Sequence, residues 1–173
     1  MAILSILTAP NAILARKARD VRDDEFGEAL DALCDDMAET MYEAPGVGLA
    51  APQVGDGRRI VVIDAGEKAG GVLLKMVNPT IVARSVELIP WKETCLSVPE
   101  FDVEVDRAKH ITVEWKTPDG QPRRADFHEF EAVIVQHELD HLVGTILLDK
   151  VSAFRRGRYL MRAKKAQREP VKA

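Results

Sequence analysis

Residues 130–143 read Phe-Glu-Ala-Val-Ile-Val-Gln-His-Glu-Leu-Asp-His-Leu-Val, a stretch apolar on almost every side. A helix of that kind has no face to offer water, so it belongs inside a folded domain and the rest of the chain must wrap it. It is also too short for a membrane span, which needs roughly 18 apolar residues or more. Yet it carries His137, Glu138 and His141. Helical spacing of four places the two histidines on one face, a turn apart, where both imidazoles can hold one cation. Glu138 stands where it can reach a water held there and act as general base. Ala132 to Val135 before and Leu142-Val143 after would bury these groups, and buried ionisable groups need partners or a metal. Two core histidines satisfied by hydrogen bonds are the simpler alternative.

The elements around this helix predict an α+β fold, with antiparallel or mixed strands packed around the buried histidine helix and a helix at the C-terminus. Asp24 to Glu43 places Phe26, Leu30, Leu33, Met37 and Met41 three or four apart, an amphipathic helix ended by Pro45-Gly46. Arg59 to Asp64 reads as a short buried strand, with further strands over Val72–Val77 and Thr80–Leu88, broken at Asn78-Pro79. Phe101 to Trp115 supplies two alternating stretches before a turn at Pro118-Asp119-Gly120. From Ser152 the chain reads as a last helix, with Phe154, Tyr159, Leu160 and Met161 available to dock it.

The 173 residues fit one domain, 1–173, with 46% apolar and 30% charged residues, values that exclude disordered and fibrous classes. Aromatics at 5% are too sparse for a single-strand nucleic-acid stacking platform. Two cysteines make no disulfide framework, and no secretory signal opens the chain, so a cytoplasmic, membrane-free location is expected. The net charge of −4 is unevenly spread. From Arg155 onward eight basic residues face one acid, a charge of +7 that leaves −11 on residues 1–154. Such a tail is either a solvated helix or a contact for a polyanion such as RNA.

Two histidines leave a catalytic site one protein ligand short. No histidine follows His141, and the later acids Asp149 and Glu169 are poorly placed, so the third ligand is expected upstream. Cys95, in Glu93-Thr94-Cys95-Leu96-Ser97, is the candidate; a thiolate beside two imidazoles suits iron(II), zinc, nickel or cobalt. A lone cysteine can equally be a small buried hydrophobe, the role that suits Cys34. A third segment, Gly46-Val47-Gly48-Leu49-Ala50-Ala51-Pro52-Gln53, is small enough for close backbone approach by a peptide, and Gln53 brings an amide donor that could stabilise an oxyanion. By itself it is a glycine-rich turn.

Together GVGLAAPQ, ETCLS and QHELDH, in this order and at these separations, resemble the peptide deformylase family, and weaker similarity runs from ILSILTAPNAIL to about residue 165. The resemblance implies a histidine helix lying against antiparallel strands. It also implies hydrolytic removal of the N-terminal formyl group from nascent formyl-methionyl peptides, with release of formate. Carried over by residue, Cys95, His137 and His141 match the metal ligands, Glu138 the general base, Gln53 and the backbone N–H of Leu96 the oxyanion donors. Val47 and Gly48 would pair with the substrate backbone. Trp91, Phe130, Val133 and Ile134 are candidates for the methionine pocket. The implied cofactor is one divalent ion, iron(II) first, with Ni(2+), Co(2+) or Zn(2+) as substitutes. The implied partners are N-formylmethionyl nascent peptides and, through the basic C-terminal tail at about 152–173, the ribosome. Two departures stand out: Thr94 replaces the usual glycine before the cysteine, and Asp102 stands where many members carry a basic residue. They motivate the alternative of an altered paralogue that binds metal or ribosome. A metallopeptidase is the other alternative, though it lacks a ligand downstream of the helix. Arg107 is a candidate to neutralise Glu93 or Asp140 behind the site.

Overall fold

The structure, a computed structural model, describes residues 2–66 and 71–168. Strands β1 (Gly48–Ala50), β2 (Ile60–Ile63), β3 (Leu74–Arg84), β6 (His110–Lys116) and β7 (Pro122–His128) form one antiparallel sheet in the order β1-β2-β3-β6-β7. Strands β4 (Leu88–Cys95) and β5 (Val98–Ala108) form a separate antiparallel hairpin. The helices are α1 (Glu28–Glu43), α2 (Glu129–Leu142) and α3 (Ala153–Arg168).

Side chains alternate across a strand, and β2 is buried on both faces, which is why it reads as an unbroken β-branched run. Its Val61 and Ile63 join Ala132, Ile134, Val135 and Leu142 of α2 in one core. Ile60 and Val62 join Leu30, Cys34, Met37 and Met41 of α1 in another, where Cys34 is fully buried. A third cluster packs Val98, Phe101, Val103 and Val105 of β5 against Leu14, Leu147, Leu148 and Tyr159. Helix α2 is thus enclosed as its composition demands.

Three local expectations shift. The first helix begins at Glu28, not Asp24: Gly27, at φ 129°, breaks the chain, and Asp23–Glu25 close a separate 3₁₀ turn held by Arg19 and Arg22. Strand β3 runs through Asn78-Pro79 because a bulge absorbs the missing proline N–H, with Asn78 at φ 52° and its amide bonded to both backbone groups of Val21. The segment expected as a strand to Leu88 instead turns over Ser85–Glu87, and Leu88 opens β4. In α3 only Tyr159 is buried, its hydroxyl donating to Pro99 O at 3.0 Å; Phe154 and Met161 point outward, 74% and 72% exposed. No helix among the described residues is long and apolar enough to cross a membrane.

Candidate metal and catalytic site

Cys95 is the last residue of β4, before the two-residue turn Leu96-Ser97 into β5. Period-two alternation turns Glu93 and Cys95 to the same, inner face. There they meet α2, whose face carries His137 and His141. One ligand atom from each of Cys95, His137 and His141 lies within 4.8 Å of the others, and Cys95 Sγ is 3.3 Å from His141 Nε2.

Of the two imidazoles, His137 is oriented from behind, whereas His141 Nδ1 is buried without a partner. His137 Nδ1 donates to Glu93 Oε2 at 2.8 Å, which turns Nε2 towards Cys95. Glu93 is held by a bidentate Arg107, Nε at 2.6 Å and a terminal nitrogen at 2.9 Å, whose other terminal nitrogen reaches Asp140 at 2.7 Å. Lys150 binds Asp140 from the far side at 3.0 Å. Arg107 therefore neutralises both of the acids proposed for it. Burial would raise the Glu93 carboxyl, but hydrogen bonds from Arg107 and His137 outweigh it and hold it below the usual range. Burial also pulls both histidines down. It wins at His141, whereas the bonds of His137 with Cys95 and Glu93 lift that ring well above its ordinary value.

Glu138 faces the cavity next to these ligands. Burial pushes its carboxyl up to about 7 against the opposing charges of His137 and Arg107. Its Oε2 is buried with no hydrogen-bond partner in the protein, so an acceptor is aimed into the site with nothing to accept from. Gly48 makes room for it. A Cβ there would come within 2.8 Å of Glu138 Cδ, so glycine is required by close approach of the strand. Gln53 follows β1 in a 3₁₀ turn, Ala51–Val54. Its Oε1 accepts from Ala50 N at 2.8 Å, and Nε2 donates to Ser97 Oγ at 3.1 Å while standing 3.7 Å from Cys95 Sγ. The amide is thereby oriented with its N–H groups towards the ligand cysteine.

The donor set fits a divalent cation of borderline softness: one thiolate sulfur and two imidazole nitrogens converge, and a carboxylate with one unpartnered oxygen lies beside them. It resembles no carboxylate-rich calcium or magnesium cage.

A cavity of about 490 Å³ opens over the site. Val47, Gly48, Gln53, Trp91, Cys95, Leu96, Phe130, Val133, Ile134, His137 and Glu138 all line it, and His141 lies behind Cys95. The Trp91 and Phe130 rings sit 5.2 Å apart on its apolar side. Every residue singled out from sequence is thus brought to one place. Three contributors were not singled out: Glu93 as acceptor for His137, Ser97 as acceptor for Gln53, and the N-terminal segment. Glu93 and Ser97 flank Cys95 at two residues on either side, the signal that alternation could have supplied. The N-terminal segment ties the two site loops together, Leu7 N donating to Gln53 O at 2.7 Å and Ala9 N to Ser97 O at 2.8 Å; nothing in its sequence announces this. Thr94 lies on the outer face of β4, exposed at the cavity rim and outside the left-handed region, so its backbone suits a β-branched residue. Asp102, its cross-strand neighbour, pairs with Lys92 at 3.4 Å.

Comparison with known proteins agrees with this geometry. The polypeptide deformylase family model matches residues 3–157. The peptide deformylase of Nitrosococcus oceani is 44% identical over 168 residues, 97% of this chain and 98% of that one. The crystal structure of the Ehrlichia chaffeensis peptide deformylase in complex with actinonin superposes with a TM-score of 0.91 at 35% identity, covering 98% and 100% of the two chains. That from Legionella pneumophila gives 0.86 at 38% identity, over 98% and 100%. With a family match across most of its length and relatives that it spans end to end, the chain belongs to the polypeptide deformylase family.

Proposed function

We propose that this protein hydrolyses the N-terminal formyl group of nascent formyl-methionyl peptides, releasing formate, and that residues 1–173 work as one unit to do so. The observation that carries the reading is the convergence of Cys95, His137 and His141 beside an unpartnered Glu138 under an apolar, peptide-sized cavity.

Cys95, His137 and His141 would hold a divalent cation, which would supply the Lewis acidity that activates a water near neutral pH and polarises the formyl oxygen. The remaining work falls to the chain. Val47 and Gly48 hold the substrate backbone against the edge of β1. Trp91, Phe130, Val133 and Ile134 receive the methionine side chain. Glu138, with its unpartnered Oε2, takes the proton from the attacking water. As oxygen adds to the formyl carbon, the Gln53 amide and the Leu96 N–H receive the growing negative charge, and each such donor is worth about 10²–10³ in rate. Glu138 then delivers its proton to the departing nitrogen, the C–N bond breaks, and formate and a free amine result.

Iron(II) is the proposed resident ion, with nickel, cobalt or zinc able to replace it. The thiolate-imidazole donor set supports that choice. The compartment is the cytoplasm. Arg158, Arg162, Lys164 and Arg168 are exposed on α3 and support a ribosome contact. Arg155 and Arg156 instead help seat the helix on Asp102 O and Asp149. Glu169 and Lys172 of the basic tail lie outside the described residues.

The direct test is hydrolysis of formyl-Met-Ala-Ser by anaerobically iron-loaded protein, with products identified by mass. Formate and intact Met-Ala-Ser are expected. Cleavage at an internal peptide bond would support a peptidase instead, and no turnover with a full metal site would contradict the proposal.

A further inference from the structure

Two histidines lie outside this centre. His110 and His128 are directly opposed on β6 and β7, and their Nδ1 atoms face each other at 2.6 Å with the rings crossed at 67°. Two nitrogens this close accommodate one hydrogen between them, so in the neutral pair one ring donates through Nδ1 and the other accepts. Cations bind imidazole at about 2.0–2.1 Å, and two ligands at a right angle on one ion then stand about 2.9 Å apart. The observed separation of 2.6 Å is close to that value.

The surroundings favour a cation. The face of β6 and β7 that carries the pair also carries Thr112 and Asp126, two residues from each histidine, joined by a 2.6 Å hydrogen bond between Thr112 Oγ1 and Asp126 Oδ1. Asp126 is exposed and brings a negative charge beside the rings. The nearby cations are engaged elsewhere: Lys109 pairs with Glu87 at 2.8 Å, and Arg84 is turned to Gln136 on α2 at 3.3 Å. The pair opens to solvent in a shallow cleft of about 170 Å³, so water can complete the coordination. Helix α2 packs against β6 and β7 through Ile111 and Phe127, which alternate with the residues that carry the pair.

We infer that His110 and His128 form a second metal site, a surface chelate for a borderline divalent cation such as Zn(2+), Ni(2+) or Cu(2+), separate from the Cys95 centre. The cation replaces the hydrogen between the rings. The donating ring moves that hydrogen to its Nε2, so both Nδ1 lone pairs reach the ion and no net proton is lost from the neutral pair.

The test uses protein whose Cys95 centre is already filled with nickel, titrated with Cu(2+) and read by electron paramagnetic resonance and by metal stoichiometry. One further equivalent is expected, with hyperfine structure from two imidazole nitrogens. His110→Gln and His128→Gln should each lose that two-nitrogen signal and the stoichiometric uptake, while nickel content and formate release stay unchanged as evidence of an intact fold. No further equivalent in the parent would overturn the inference. So would a signal that survives both substitutions, or one lost in a single variant alone, which would mean a site on one imidazole.

Discussion

At the residue scale the site depends on close approaches that a larger side chain would close. Gly48 is the sharpest case, because β1 passes directly over Glu138 and leaves no volume for a methyl group. Gly48→Ala must push the Glu138 carboxylate aside, and misplacement of a catalytic group by about 1 Å costs on the order of 10² in rate. The expected result is formate release lowered about a hundredfold with metal content unchanged; a rate within twofold of the parent would mean that Glu138 tolerates displacement. Residue identities of this kind were readable in the sequence because chemistry restricts them: two histidines at helical spacing, a cysteine in a short motif, an amide after a glycine pair. Ser97 and Glu93 were harder, since serine and glutamate are common at surfaces and only folding shows that both are buried here.

Elements carry the next layer. Strand β4 supplies Glu93 and Cys95, β5 supplies Arg107, and α2 supplies His137 and Asp140, so one buried ion-pair network joins hairpin to helix. The Glu93 carboxyl is held below its ordinary range. Its contribution to stability is therefore present above the unfolded glutamate value, about 4.3, and is lost as pH falls from there towards the depressed folded value. Denaturant midpoints of the parent should drop steeply in that acid window. Glu93→Gln should be less stable at neutral pH and show a flatter acid limb; an identical slope would show that Glu93 does not carry the linkage. Helix α2 was legible because its composition admits one environment, and β2 for the same reason. Strands β4 and β7 were not. Exposed positions dominate both, and Pro90 and Pro122 dilute their β-character, so pairing with β5 and β6 rather than local pattern makes them strands.

For the whole molecule, the segment around Gly46–Gln53, the hairpin and the histidine helix enclose one cavity, and α3 leaves it with a basic face turned outward. That separation predicts independent behaviour. Reversing Arg158, Arg162 and Lys164 to glutamate should leave formate release from a free tripeptide unchanged and weaken co-sedimentation with ribosomes, most visibly at low salt. Unchanged ribosome binding would reduce the tail to a solvated helix. The α+β class was legible from the order of elements, whereas the split into a five-stranded sheet and a separate hairpin was not, because it depends on which strand edges meet in space. The proposed function divides the labour: Cys95, His137 and His141 to hold the cation, and Glu138 to move the proton. Measuring metal content and formate release on one preparation of Glu138→Gln tests it most directly. Parental metal stoichiometry is expected with turnover reduced about 10²-fold or more; retention of full activity, or loss of metal and activity together, would overturn this division.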